Sequence, residues 1–207
     1  MRRNKSLIVA IAIAFSVFIP VVSRADDGGA WLSLQANKGW KDCYAFARLE
    51  YRAKNQFKST DAWFLAAGGG YKITPWLKGD LSYEYWDVNL GTSIHKAVLS
   101  ANATLARENL AVSIREKLEF AVTPSVSATS WTLRSRLRAQ YSITGSIFTP
   151  YAMAEIFNWS SWIRSLYYAG AEMKLSTHSV LDVYYLYHLP AGAPAVHLLG
   201  VGYYFNF

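Results

Sequence analysis

The chain has 207 residues, a formal net charge of +7, 52% hydrophobic residues and only 17% charged residues. This length corresponds to one domain, or at most to two small ones. With 13 glycines and 6 prolines, the composition is neither collagen-like nor that of a low-complexity disordered chain. The basic excess and the aromatic content of 15% would suit a nucleic-acid-binding protein, but the placement of the charges argues against one.

A secretory signal peptide is predicted over residues 1–25. Three basic residues precede an apolar run over residues 7–22, and the small residues Ser23 and Ala25 occupy the −3 and −1 positions of a cleavage site. The apolar run is short for a membrane-spanning helix, so an uncleaved anchor is the less favoured alternative. The mature chain is then expected to comprise residues 26–207.

Removal of this segment changes the charge balance. The segment contains four basic residues and no acid, so 17 of the 21 basic residues remain against 14 acidic ones, a net charge of +3. Most of the basic excess is thus assigned to export, and no nucleic-acid partner is expected. Cys43 is the one cysteine, so neither an intramolecular disulfide nor a lipidated cysteine at the cleavage site is expected.

The mature chain alternates between apolar and polar residues with a period of two. In the segment 77–86, for example, Leu81, Tyr83 and Tyr85 share one parity, whereas Ser82 and Glu84 share the other. Such alternation places one class of residue on each face of a β-strand. Eleven candidate strands follow from this pattern, at 31–36 (the weakest), 43–52, 62–73, 77–86, 93–105, 110–121, 133–141, 148–157, 167–175, 180–189 and 195–207.

The lengths of the strands and connections predict an all-β fold, an antiparallel transmembrane β-barrel. Most candidate strands have about 10–13 residues, and a tilted membrane-crossing strand needs about 9–11. Bacterial barrels normally have an even number of strands, so ten or twelve are expected. The alternative is a secreted β-sandwich, whose strands are more often shorter.

The two ends of the predicted barrel differ. Short connections near 74–75, 107–109, 144–145 and 177–179 define what we call the turn end, and longer ones near 53–61, 87–92, 122–130, 158–162 and 190–194 define the loop end. Short turns are typical of the periplasmic side of outer-membrane barrels. Aromatic residues are expected to form girdles at both ends. They are Tyr71, Trp76, Tyr141 and Tyr203 at the turn end and Trp86, Trp131, Trp159 and Trp162 at the loop end.

The last strand is similar to the C-terminal signal that the outer-membrane barrel assembly machinery reads in its clients. Gly202, Tyr203, Phe205 and Phe207 belong to this segment, whose aromatic residues alternate up to the terminal Phe207. An apolar edge strand of this kind is a template for strand addition. The resemblance implies that the assembly machinery is a partner during biogenesis.

Several segments in order resemble a Gram-negative outer-membrane barrel family of unknown function, domain of unknown function 2490. They are 113–118 (SIREKL), 133–137 (LRSRL), 149–151 (TPY) with 155–157 (EIF), 178–182 (HSVLD) and the glycine-bearing last strand. The resemblance covers most of residues 31–207. It implies an outer-membrane barrel, and since the family has no established activity, it assigns no functional residues.

A cluster of charged residues is predicted inside the barrel. Its members share the inward parity of three successive strands and are Arg115, Lys117, Glu119, Arg134, Arg136, Arg138 and Glu155. Two interpretations remain open for this lumen charge cluster. It is either an ion-pair network that fills a narrow interior, or a constriction that attracts anions.

The leading functional prediction is a non-enzymatic barrel in the outer membrane of a Gram-negative bacterium, in contact with lipid, either as a narrow pore or as a structural component. The alternative is a lipid-modifying hydrolase at the rim. Ser93 and His95 are two residues apart and thus share a strand face, with Asp87 nearby as a possible orienting acid. No cofactor and no metal are expected, because His95, His188 and His197 have no ligand-like spacing.

Overall fold

The structure is a computed structural model, which describes residues 28–158 and 161–207. The predicted signal peptide, residues 1–25, lies outside the described residues. Eleven strands contain most of the described residues. They are β1 (Gly29–Trp40), β2 (Cys43–Lys54), β3 (Ser59–Lys72), β4 (Leu77–Val88), β5 (Thr92–Arg107), β6 (Leu110–Thr123), β7 (Ala128–Tyr141), β8 (Phe148–Phe157), β9 (Arg164–Lys174), β10 (Ser179–Pro190) and β11 (Val196–Asn206).

The eleven strands form one closed barrel in sequence order. Each strand pairs antiparallel with the next, and β1 closes the barrel by pairing parallel with β11. The predicted all-β barrel is confirmed. Pro124–Val126 forms a short 3₁₀ turn between β6 and β7, and no helix among the described residues is long and apolar enough to cross a membrane.

The strand number is eleven rather than the ten or twelve expected. The weak first segment, 31–36, is a full strand of 12 residues, β1. Its alternation, with Leu32 and Leu34 exposed on the outer wall between inward Ser33 and Gln35, is regular but short, and the expectation of ten or twelve strands came from the rule of even strand numbers. An odd number makes the first and last strands run in the same direction, which is why the closing pair is parallel.

The apolar side chains of the barrel cover its outer wall, whereas polar ones line the lumen. On β4, Leu81 is 63% exposed, but Ser82 and Glu84, on the opposite face, are 7% and 5% exposed. The same alternation runs through the neighbouring strand, where Leu99 is 58% and Ser100 only 3% exposed. Most large apolar residues therefore lie outside, and the charged residues fill the interior.

One residue of the predicted aromatic girdles faces the other way. Trp86 is a buried lumen residue, which stacks on Phe64 with 4.2 Å between ring centroids and donates a hydrogen bond from Nε1 to Glu84 Oε2 at 2.8 Å. The girdle assignment was wrong for Trp86 because its parity is that of Ser82 and Glu84. Tyr71, Trp76, Tyr141, Trp131 and Trp162 are exposed, Tyr203 is half-buried on the outer wall, and Trp159 lies outside the described residues.

A buried apolar cluster lines the loop-end part of the lumen beside the closing seam. It includes Trp31, Phe157, Leu166, Leu186 and Leu198, with Tyr151 and Tyr184 on its turn-end side. Gly200 on β11 faces the ring of Tyr184 so closely that any side chain there would collide with it. The glycine thus lets an aromatic ring lie against the backbone of the last strand.

The parallel seam predicts a specific disulfide. Leu32 and Val201 are register partners on β1 and β11, at a spacing of about 4.8 Å that a disulfide can bridge. In a Cys43→Ser background, L32C with V201C should cross-link on mild oxidation, as detected by non-reducing electrophoresis of the folded protein. The matched control is L32C with V183C, because Val183 lies one strand further, opposite Val201. Efficient cross-linking of the control, or none in the test pair, would contradict the parallel closure.

Candidate functional site

The structure brings all seven residues of the lumen charge cluster together inside the barrel. Strands β6, β7 and β8 are adjacent, and their register places Arg115 opposite Arg136, Arg136 opposite Glu155, and Lys117 opposite Arg134. All of these positions share the inward parity. The cluster is therefore a continuous charged patch on one side of the lumen.

Two glutamates hold this patch together. Arg134 donates from Nη1 to Glu119 Oε1 at 2.5 Å and from Nη2 to Glu155 Oε2 at 3.0 Å. Arg115 Nη2 donates to the other oxygen of Glu155 at 3.0 Å, and Lys96 Nζ donates to the other oxygen of Glu119 at 3.2 Å. The two carboxylates are only 3% and 2% exposed, so each depends on its two cations for stability.

A third glutamate repeats the arrangement on the facing wall. Glu50 is fully buried and accepts hydrogen bonds from Arg48 and from Arg52, the latter at 2.7 Å from Nε. The guanidinium of Arg52 also lies 3.7 Å from the ring centroid of Trp31 and 4.7 Å from that of Trp86. We call Glu50, Glu119 and Glu155 with their bound cations the three-glutamate network.

Sequence reasoning missed the contribution of β2 to this network. The segment Arg48-Leu49-Glu50-Tyr51-Arg52 alternates charged and apolar residues as strictly as β7 does. That signal could have placed all three charged side chains in the lumen. Two further pairs were also missed, Arg138 with Glu172 at 2.6 Å and Tyr151 with Asp182 at 3.0 Å.

Two arginines of the lumen have no carboxylate partner. Among the described arginines that face the lumen, every one except Arg136 and Arg164 forms an ion pair. Arg164 stacks on Phe157, with 4.2 Å between the guanidinium carbon and the ring centroid. Arg136 has neither an ion pair nor an aromatic ring beneath it, and its Nε is buried without a hydrogen-bond partner.

Cavities follow one another along the barrel axis. The turn-end chamber, of about 510 Å³, extends from rim residues such as Lys38 and Lys72 to Arg136. The loop-end chamber, of about 280 Å³, extends from Lys54 to Arg134 and includes Arg164. A middle cavity of about 100 Å³ shares Arg136 with the first chamber and Arg134 with the second, so side chains alone separate the three spaces.

The residues of the predicted hydrolase site lie together on the outer wall at the loop end. Asp87 and Ser93 are register partners on β4 and β5, and His95 follows opposite Tyr85. The imidazole of His95 is engaged elsewhere, because its Nδ1 is 2.5 Å from the hydroxyl of Tyr83. No hydrogen bond within the described part of the chain joins His95 to Ser93 or to Asp87.

The three histidines considered as metal ligands do not lie on one face of the barrel wall. His188 points into the loop-end chamber, whereas His95 and His197 lie on the outer wall, bonded to Tyr83 and Tyr185. Within residues 28–158 and 161–207, no group of three or more His, Cys, Asp or Glu residues is arranged to hold a metal ion.

The residues of the predicted assembly signal lie at the closing seam. Gly202 faces the lumen opposite Ser33, and the hydroxyl of Tyr203 donates to Ser179 Oγ at 2.9 Å on the outer wall. Phe205 and Phe207 pack together, with 5.3 Å between their ring centroids. The backbone N–H of Phe207 donates to Asn37 of β1 at 3.0 Å, so the segment is part of the barrel up to its last residue.

The sequence also matches a known family. The family described as a protein of unknown function (DUF2490) matches residues 28–194. The chain belongs to this family. The DUF2490 match covers β1 to β10 and every charged residue of the three-glutamate network, and it stops before β11. No curated protein matches the chain.

The three-glutamate network implies that substitution of Arg134 and substitution of Arg136, two arginines on β7, have different effects on stability. Arg134→Met leaves two nearly buried carboxylates short of a cation, and we expect it to lower the free energy of unfolding by about 3 kcal/mol. Arg136→Met is the matched control, because Arg136 forms no ion pair with another described residue and lies opposite the like-charged Arg115. We expect this substitution to leave the free energy of unfolding unchanged or to raise it. Urea unfolding of the refolded protein, followed by tryptophan fluorescence, measures both, and equal losses would contradict this account.

Proposed function

We propose that this member of the DUF2490 family is an integral outer-membrane β-barrel without catalytic activity, which serves as a narrow pore that favours anions. The observation that carries the proposal is the inside-out polarity of a closed barrel with successive cavities. The apolar outer wall supports the location in a membrane, and the cavities and charges of the lumen support the function as a pore.

The apolar wall favours a lipid environment. Residues such as Leu99, Leu105 and Ile114 are 58%, 71% and 53% exposed, and similar side chains surround the barrel. Soluble monomers rarely expose contiguous apolar patches larger than a few hundred Å². A closed barrel has no unpaired strand edge and thus meets the requirement for crossing a bilayer. A predicted export signal and aromatic residues near both rims agree with this location.

The lumen favours passage of small solutes rather than a solid interior. The turn-end chamber and the loop-end chamber reach opposite rims and are separated from the middle cavity only by side chains. Arg134 borders the partition towards the loop-end chamber and Arg115 the one towards the turn-end chamber, so passage of a solute requires these side chains to move. A barrel of this strand number leaves room for no more than a small solute.

The charge of the lumen favours anions. The carboxylates of the three-glutamate network each bind two cations, and Arg136 and Arg164 remain unneutralised on either side of it. Rings of basic side chains select anions in pores. We therefore expect chloride to pass more readily than potassium.

Planar-bilayer recording tests the pore. The refolded mature protein should give small, defined conductance steps with an anion-selective reversal potential. Arg136→Glu should shift that potential towards cations, whereas the matched exchange Arg107→Glu, at an exposed rim position, should shift it less. A barrel that inserts but stays silent would overturn the pore and leave a structural role. Lipid hydrolysis abolished by Ser93→Ala would instead support the hydrolase alternative.

The membrane topology can be tested with three tags. Gly28 lies at the loop end, because its carbonyl accepts a hydrogen bond of 2.6 Å from Gln56 of the β2–β3 connection. A tag at 124–128 and a tag directly after the cleavage site should therefore both be accessible on intact cells, whereas a tag after Phe207 should be protected. If only one of the first two tags is accessible, they lie on opposite sides of the membrane, which would contradict the odd strand number. If both are protected, the orientation of the barrel in the membrane is the reverse of the one proposed. A heat-modifiability gel, comparing boiled with unboiled samples, checks that each tagged protein is folded.

A further inference from the structure

We propose that the turn-end chamber is a binding site for a phosphate-class oxyanion, which Arg136 holds together with Lys78. The proposal rests on the proposed function in one respect, since the anion reaches the chamber from the turn end of an inserted barrel. It adds a specific ligand class and a specific site to that function.

Four polar residues form a row around the wall of this chamber. The register pairs Lys78 with Asn102, Asn102 with Arg115, and Arg115 with Arg136 on the successive strands β4 to β7. All four line the turn-end chamber. The row thus presents three cations and one amide to the same space.

Arg136 remains unpaired in this row because its one acidic neighbour is already occupied. Its register partner on β8 is Glu155. Both oxygens of Glu155 accept hydrogen bonds from other arginines, Oε1 from Arg115 and Oε2 from Arg134, each at 3.0 Å. The guanidinium of Arg136 therefore keeps its full set of donors, which need acceptors in a confined space.

The acids of the chamber are likewise engaged by other donors. Asp80 accepts a hydrogen bond from the Tyr44 hydroxyl at 3.2 Å. Glu84 accepts from Trp86 Nε1 at 2.8 Å and lies 3.7 Å from Lys117 Nζ. Neither forms an ion pair with Arg136 or with Lys78. The hydrogen bond from Tyr44 leaves the charge of Asp80 in place, on the same strand as Lys78. Four cations that form no ion pair with a described residue outnumber this carboxylate in the chamber wall, so a positive charge is available to a ligand; they are Lys38, Lys72, Lys78 and Arg136.

The remaining donors suit a tetrahedral oxyanion. Guanidinium groups bind phosphate through two parallel hydrogen bonds, and an ammonium group adds a point charge. The hydroxyl of Ser100 is buried in the chamber wall without a hydrogen-bond partner, and Asn102 has one amide proton beyond that given to Thr104. A chamber of about 510 Å³ has room for phosphate or for the headgroup that carries it.

Calorimetric titration of the full mature protein, refolded in an uncharged maltoside detergent, tests the site. The titrant is sodium phosphate, with sodium chloride of equal ionic strength as the reference. Wild type should bind phosphate, and Arg136→Met should bind it about tenfold more weakly, as expected for loss of a charge-assisted pair. Arg107→Met is the matched control, because this exposed arginine ends β5 at the same rim outside the chamber. It should bind like wild type.

The outcomes separate this proposal from the proposed function. Absence of phosphate binding to the folded wild-type protein, or equal binding by Arg136→Met, overturns the proposed site. Heat modifiability and conductance test the barrel and the pore independently of phosphate binding. Should Arg136→Met fail to fold, Lys78→Met provides the same test on another member of the row. Competition by added phosphatidylglycerol would identify a lipid headgroup as the phosphate source, and its absence would identify the free anion. Either result supports the site.

Discussion

The small number of carboxylates in the lumen limits how many of its cations can be neutralised, and the rest of the interior follows from that limit. Glu50, Glu119 and Glu155 are almost completely buried, and each is bound by two cations. A buried carboxylate is costly unless its lone pairs are satisfied by well-placed donors. Double pairing meets that requirement, and Arg134 joins two of the three carboxylates.

The same limit determines where positive charge remains. The three-glutamate network takes up Arg48, Arg52, Lys96, Arg115 and Arg134, and Arg138 is paired with Glu172. Arg136 and Arg164 are left on its two sides, towards the turn-end and loop-end chambers. Because five cations share three carboxylates, the network itself keeps a net positive charge, and the middle of the lumen is positive like both chambers. For the proposed pore, this arrangement favours anions along the whole lumen, and the donors that are already bound to carboxylates in the centre hold a passing anion less tightly than unpaired arginines would.

The parity of the strands was sufficient to predict the barrel and the seven residues of the lumen charge cluster. It could not predict which cations are paired, because Glu155 lies between three arginines and only three-dimensional geometry decides that Arg136 is left out. Trp86 was misplaced because an aromatic residue near a strand end satisfies the pattern of a girdle as well as that of a lumen ring. The β2 triad was missed although its alternation was visible. Ser93 and His95 share a face as predicted, and Asp87 lies beside them on β4 rather than in the loop that was expected, without a hydrogen-bonded relay among the three.

The alternation indicates eleven strands, and only the general rule of even strand numbers led to the expectation of ten or twelve. The odd number determines how the barrel closes. An even number would bring both termini to one rim and close the barrel with an antiparallel pair. Eleven strands instead place Gly29 at the loop end and Phe207 at the turn end, so β11 must run beside β1 in the same direction. Parallel pairs are slightly less stable per residue than antiparallel ones. Here Gly200 leaves room for the ring of Tyr184, and Gly202 leaves room for the side chain of Ser33. The backbone N–H of Phe207 also donates a hydrogen bond to the carbonyl of Asn37 on β1. The C-terminal segment therefore has a structural task in the folded barrel: it completes the one pair of strands that the chain order leaves until last.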